Sequence, residues 1–334
     1  MPSTPLLSVF MPVFNAEAWL SKALESILSQ TFTDFELIVV DDGSSDRSVE
    51  IIRSFSDSRL RLIQQDNLGC YPARNRAIQE ARGAFLANMD ADDISLPDRF
   101  QAQVDYLREY PEAILVGTAS LGCDREDVVR LPQPMALEYD PSIGIPHVLT
   151  AGSTLFSSPF TCATILFRKE LAKKIGGYDE RLCFSADVDF VIRASFHGRI
   201  ACLPIPLYVF RLLPHAISGA GSLIQREILA ISAAATQRAL KGEIREYTES
   251  EIQRLAELAE QRRSLPSVPL RKKNAFYETR LATLLRVNGY PREALLHLIL
   301  AILSAPENLF TDRKLASNVV KGFRDWIRKQ FSRS

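Results

Sequence analysis

At 334 residues the chain is too long for most single compact cores and points to one large domain with an appendage, or to two domains. Its 46% hydrophobic and 24% charged residues belong to a globular rather than a disordered chain. Lys plus Arg balances Asp plus Glu at 40 each, so no global field recruits nucleic acid, and a charged ligand must be held by local groups.

Residues 8–14 (SVFMPVF) read as a buried strand, and 17–30 follow with Trp19, Leu20, Leu24, Ile27 and Leu28 at helical spacing. A second strand, 35–40 (FELIVV), stops at Asp41-Asp42-Gly43, and Ser45 or Asp46 caps a helix running to residue 55. Residues 60–64 form a short third strand, and 72–82 a helix that Gly83 ends. A fourth strand, 85–89, stops at acids again, and 97–110 is a helix with Pro97 in its first turn. This alternation predicts a parallel sheet with helices on both faces, a fold that binds ligands at the carboxyl ends of its strands. Both acidic clusters fall at such ends.

Further on, 114–120 and 163–168 look like strands, 169–175 is a short helix closed by Gly176-Gly177, 187–196 is helical and 202–211 is strand-like. From residue 222 long helical patterns take over, which places a boundary between a domain of 1–221 and a helical C-terminal region of 222–334. Within that region 275–304 reads as a helical hairpin turning at Asn288-Gly289-Tyr290-Pro291. Residues 312–334 carry seven Lys or Arg against two Asp, interleaved with Val319, Val320, Phe323, Trp326, Ile327 and Phe331. That pattern fits a basic helix lying on an anionic membrane surface, or a helix docked on the body with a solvated basic face.

The five cysteines, Cys70, Cys123, Cys162, Cys183 and Cys202, lack the short spacing of zinc or redox sites and read as reduced thiols of a cytoplasmic protein. The apolar start 6–14 lacks the basic n-region of a signal peptide. Residues 141–167 carry no Asp, Glu, Lys or Arg, but His147 and internal prolines make them buried loop and strand, and 295–303 are too short to span a bilayer.

Chemistry concentrates in a few acids. Asp90-Ala91-Asp92-Asp93 sets two carboxylates around one residue at a strand end, hard ligands suited to Mg²⁺ or Mn²⁺. The alternative is an acidic loop capping the next helix through Asp98 or Asp93. Asp41 can accept hydrogen bonds from a ribose hydroxyl or a base N–H, while Gly43 to Asp46 suit a capping turn. Arg74 offers a planar fork to a phosphate or base carbonyl, or a surface ion pair. Pro12-Val13-Phe14-Asn15 ends the first strand with backbone and an aromatic ring that can hold a nucleobase. Asp187 and Asp189 open a helix on different sides, and Asp189 has Arg193 four residues on as a structural partner.

Taken in order, SVFMPVFN from residue 8, VDDGSSD from 40, NLGCYPARNR from 67, GAFLANMDADDISLPDR from 83, FRKEL from 167, IGGYDE from 175 and SADVDFVIR from 185 resemble the family 2 glycosyltransferases over roughly residues 7–220. The resemblance implies a GT-A fold, an α/β architecture with a doubly wound, mostly parallel sheet, here followed by the C-terminal helices. It implies that Pro12, Asp41 and Arg74 contact the donor's base and ribose, that Asp90 lies near the ribose, and that Asp92 ligates Mg²⁺ or Mn²⁺; Phe14, Asn15 and Ala91 complete the expected donor-binding set. Asp187 matches the family's general base. The reaction implied is inverting transfer of a sugar from a nucleoside diphosphate sugar, a UDP-sugar first, to a hydroxyl of a sugar or lipid-linked acceptor in polysaccharide, glycolipid or cell-envelope glycan synthesis. The expected setting is the cytoplasm or the inner face of the cell membrane.

Three positions depart from the family pattern: Ala186 where Glu is frequent, Cys162-Ala163 where many members have His-Pro, and Arg211-Leu212-Leu213 where many have Arg-x-His. His215 then reaches the diphosphate or metal only from a shifted loop. These departures motivate an alternative, a transferase relic acting as a binding or scaffold protein. A phospho-receiver domain shares the paired acids, but has no use for Asp90–Asp93 or Asp187.

Overall fold

The structure is a computed structural model that describes residues 4–128, 130–133, 147–149, 160–214, 223–264 and 268–305. His215, most of 141–159 and the basic segment 312–334 lie outside the described residues.

The N-terminal half alternates as its hydrophobic pattern predicts. It runs β1 (Leu7–Val13), α1 (Leu20–Leu28), β2 (Phe35–Asp41), α2 (Ser48–Ser54), β3 (Leu60–Gln64), α3 (Cys70–Glu80), β4 (Phe85–Asn88), β5 (Ile94–Ser95) and α4 (Arg99–Glu109). Every residue of β2 is buried, as befits a central strand covered on both faces. On α1, Leu20, Ala23, Leu24 and Ile27 form the buried stripe. Strands β6 (Ala113–Cys123), β7 (Arg130–Pro132), β8 (His147–Leu149) and β9 (Leu166–Arg168) follow, the last preceded by a 3₁₀ turn at Cys162–Thr164. Then come α5 (Lys169–Ile175), α6 (Ala186–Ala194), β10 (Arg199–Arg211), α7 (Leu223–Leu240), α8 (Glu249–Ser264), α9 (Leu270–Val287) and α10 (Pro291–Ser304).

The sheet order is β3-β2-β1-β4-β9-β6-β10-β5, with β7 on β6 and β8 on β10. β1 pairs in parallel with β2 and β4, and β2 with β3. β9 runs antiparallel to β4 and β6, and β10 antiparallel to β5 and β8. The register sets Val13 opposite Asp41 and Phe10 opposite Asn88, so β1, β2 and β4 end side by side at one edge.

Gly83 does not cap α3, whose C-cap is Ala81. Its role is close approach: a Cβ there would stand 2.6 Å from the Ser8 nitrogen. The Gly83 N–H donates instead to Ser8 Oγ at 2.8 Å, and Ser8 Oγ donates to Glu36 Oε1 at 2.8 Å.

Two compact units are present. The first comprises 1–120, 135–209 and 223–263, so α7 and α8 cluster with the strand-end site. The second comprises 121–134, 210–222 and 264–334. Its core joins Leu212 to Tyr277, Leu281, Leu284, Leu285 and Ala294 of the α9–α10 hairpin, and His297 Nδ1 sits 2.5 Å from Glu278 Oε2.

Candidate active site

The loops leaving β1 and β2 are stitched together. Asn15 takes a left-handed φ of 49°, its N–H donates to Ser44 Oγ at 3.0 Å, and its Oδ1 accepts the Ser45 N–H at 2.8 Å. The Ala16 N–H reaches Ser48 Oγ and the Glu17 N–H reaches Asp46 Oδ2. Asp46 also accepts the Ser48 N–H in the first turn of α2, so the capping expected of this segment falls to Asp46 while Arg47 holds the N-cap position. Phe14 beside this stitch keeps 51% of its surface exposed, and Pro12 is half-buried.

Asp41 and Asp42 divide their tasks. Asp41 is buried and receives the Ser44 N–H at 3.4 Å. Asp42 accepts Gln65 Nε2 at 2.8 Å and the N–H groups of Leu68 and Gly69 at 2.9 and 2.8 Å. It thereby fixes the loop that delivers the start of α3. Gly43, at φ 76°, lets this turn form, because a Cβ there would meet the Asn67 nitrogen at 2.9 Å.

From α3, Arg74 donates through Nη2 to Asp90 Oδ1 at 2.6 Å. Its guanidinium lies 5.7 Å from the Tyr71 ring centroid and 5.6 Å from that of Tyr178. Burial works against the Arg74 charge, but Asp90 together with Cys70, Tyr178 and Tyr71 outweighs it and raises the pKa. Arg74 Nε and the Tyr178 hydroxyl are buried with no hydrogen-bond partner among the described residues. Tyr71 continues the line, its hydroxyl donating to Asp187 Oδ1 at 3.4 Å. Asp187 is half-buried in the first turn of α6 and also accepts the Val188 N–H at 3.0 Å. The fold thus joins Asp90, Arg74, Tyr71 and Asp187 in one chain of contacts, although Tyr71 and Asp187 lie 116 positions apart in sequence. Cys70 sits among them, its thiol pushed up by burial within the fields of Arg74, Asp90, Asp187 and Arg262.

The D-x-D segment is a tight turn in which the Asp90 carbonyl accepts the Asp93 N–H at 3.4 Å. The Asp90 N–H donates to the Tyr208 hydroxyl at 3.3 Å, Ala91 is buried and Asp92 is half-buried. Asp98 stands at the N-cap of α4 without a side-chain capping bond, and accepts Thr31 Oγ1 at 3.1 Å instead. Under the turn, fully buried Arg99 donates to the carbonyls of Asn88 at 2.8 Å and Ala163 at 3.2 Å, with burial lowering its pKa to about 10. Asp42 stood out only as part of the acidic strand end, and Tyr71, Tyr178 and Arg99 did not stand out in the linear sequence. The available signal was their place inside the motifs, Tyr71 within NLGCYPARNR and Arg99 at the end of the D-x-D run.

Metal fit can be judged from the donor set. Among the described residues no three His, Cys, Asp or Glu side chains converge as a cage. A D-x-D carboxylate pair with Asp90 committed to Arg74 suits a hard cation that keeps waters and takes phosphate oxygens for the rest of its shell.

Asp189 lies elsewhere. It is 1% exposed and its Oδ2 accepts Arg193 Nε at 2.6 Å, the pairing expected from their spacing. Burial would raise its pKa, but Arg193 and Arg245 together lower it.

The sequence model described as "Glycosyl transferase family 2" matches residues 8–176. The UDP-Glc:alpha-D-GlcNAc-diphosphoundecaprenol beta-1,3-glucosyltransferase WfgD of Escherichia coli is 32% identical over 136 residues, covering 40% of this chain and 54% of that protein. Among solved structures, S. aureus TarS 1-349 in complex with UDP-GlcNAc superposes with a TM-score of 0.58 at 19% identity, covering 97% of this chain and 92% of the other. The mannosyltransferase PcManGT of Pyrobaculum calidifontis, in complex with GDP-Man and Mn²⁺, gives 0.53 at 19% identity, covering 93% and 89%. These two likenesses carry the GT-A fold. With the family match over half the chain, they lead to one conclusion: the chain belongs to glycosyltransferase family 2 and is a glycosyltransferase.

Proposed function

We propose that the enzyme transfers a sugar, with inversion, from a nucleoside diphosphate sugar to an acceptor hydroxyl. The observation that carries this reading is the contact chain from Asp90 through Arg74 and Tyr71 to Asp187, which sets a half-exposed carboxylate next to the donor-type residues at the strand ends. Phe14 and Pro12 flank the nucleobase, Asp41 takes a base N–H or ribose hydroxyl, and the Arg74 guanidinium serves a base carbonyl or phosphate oxygen. Asn15 contributes by shaping the loop through Ser44 and Ser45.

In the transfer, the acceptor oxygen bonds to the anomeric carbon while the bond from that carbon to the β-phosphate oxygen breaks. The electron pair leaves with the nucleoside diphosphate, and the acceptor proton passes to the Asp187 carboxylate. Asp92, with His215 as a further ligand, would hold Mg²⁺ or Mn²⁺, which would supply positive charge to balance that of the departing diphosphate. A UDP-sugar donor is supported by the names of WfgD and of the TarS complex, and the Mn²⁺ complex of PcManGT supports the metal. The name of WfgD also supports a lipid-linked acceptor in glycan assembly. The basic 312–334 segment would then hold the enzyme at an anionic membrane surface.

The test is thermal stabilisation by UDP-, GDP- and dTDP-sugars with and without Mn²⁺. We expect a metal-dependent rise for a UDP-sugar. No stabilisation by any donor would favour the relic alternative, a binding or scaffold protein.

A further inference from the structure

We propose that the α7–α8 pair is a positioning device for the end of α6 that bears Asp187, with Arg245 as its central residue. This rests on the reading of Asp187 as the base. Six contacts converge on residues 183–189 from these two helices and the loop between them. At the C-terminal end of α8, Arg262 donates to the Cys183 carbonyl and lies 4.3 Å over the Phe184 ring. From α7, Gln225 Nε2 donates to Ser185 Oγ at 3.2 Å. In the connecting loop, Arg245 Nη2 donates to Asp189 Oδ1 at 2.6 Å, and the same oxygen receives Ser232 Oγ at 2.8 Å and Tyr247 Oη at 3.3 Å.

The segment needs such support. Ser185, the N-cap of α6, has a φ of 59°, a left-handed conformation unfavourable for a residue with a Cβ. Asp189 is a fully buried carboxylate, tolerable only when paired. Arg193 supplies one partner and is itself anchored on the Ile175 and Gly177 carbonyls at 2.6 and 2.8 Å. Arg245 supplies the other from outside the strand–helix core. Asp187 lies between the anchored Ser185 and the anchored Asp189, so its direction is set by both. A general base displaced by about 1 Å loses up to roughly a hundredfold in rate.

Arg245→Ala and Arg245→Lys are compared with the wild type and Asp187→Asn in the full chain. Two readouts are used: amide exchange of residues 183–190 with UDP and Mn²⁺ present, and hydrolysis of UDP-GlcNAc, UDP-glucose or GDP-mannose, whichever the wild type cleaves fastest. For Arg245→Ala we expect exchange in 183–190 to accelerate about tenfold or more while β1 to β4 stay protected. We also expect kcat to fall about tenfold at unchanged donor KM, with most of the loss recovered in Arg245→Lys. Should Arg245→Ala fail to fold, Arg245→Gln takes its place against Arg245→Lys. Wild-type exchange in 183–190 in the charge-removing variant overturns the proposal, as does equal impairment of both variants with loss of UDP binding. Near-native turnover of Asp187→Asn would instead remove the base assignment, and the exchange result would still decide whether Arg245 orders this segment.

Discussion

Two carboxylates at the start of α6 meet different surroundings: Asp189 is sealed between Arg193 and Arg245, and Asp187 is half-exposed under the Tyr71 hydroxyl. Asp187→Asn is expected to lower kcat by about 10²–10⁴ while leaving UDP affinity within twofold or so, which steady-state kinetics and nucleotide titration check. Asp189→Asn is expected to cost about 3–5 kcal/mol of stability at neutral pH, because it leaves two buried guanidinium groups without their anion. The folded-state pKa of Asp189 is depressed, so its contribution is complete above the ordinary 3.8 and is lost as pH falls through the lower folded value. Denaturation across that acid range should bring wild type and Asp189→Asn together, and a gap independent of pH would contradict the assignment. The division between the two acids was legible in the sequence, since Arg193 follows Asp189 by one helical turn. Tyr71 as the partner of Asp187 was not, because only the folded sheet brings positions 116 apart into contact.

Among the elements, β1, β2 and β4 of the parallel half of the sheet were readable because each is a largely buried, mostly apolar run ending in turn residues or acids. β5, β7 and β8 are two or three residues long and too short to show a period, and the antiparallel pairing of β9 and β10 leaves no local signature. Gly83 illustrates a sequence signal with a different cause, since it was expected as a helix stop and serves as a point of close backbone approach. Gly83→Ala should therefore destabilise by about 1–3 kcal/mol through overpacking against β1, measured by urea unfolding. The D-x-D turn was placed correctly at the end of β4. Its support by Tyr208 and Arg99 was hidden, because those contacts come from β10 and from the floor of the turn.

Across the whole molecule, the change of texture near residue 222 marks the start of helices α7 and α8, which cluster with the strand-end unit. Ile224, Ile228, Leu255 and Leu258 of these helices share the main core of that unit, and their connecting loop carries the arginine that neutralises Asp189, a requirement no periodicity reveals. Among the described residues no helix is long and apolar enough to cross a membrane. If the basic segment 312–334 holds the enzyme at an anionic membrane surface, as proposed, deletion from residue 312 is expected to abolish salt-sensitive co-sedimentation with anionic vesicles, whereas equal binding would remove that role. The proposed reaction is metal-assisted transfer from a nucleoside diphosphate sugar at Asp92 and Asp187. It is tested most directly by UDP release from a UDP-sugar by wild type, Asp92→Ala and Asp187→Asn, with and without Mn²⁺. Expected are Mn²⁺-dependent release by the wild type, loss of both release and Mn²⁺-dependent UDP binding in Asp92→Ala, and retained binding with release lowered about a hundredfold or more in Asp187→Asn. Release that is indifferent to Mn²⁺ and unchanged in both variants would contradict it.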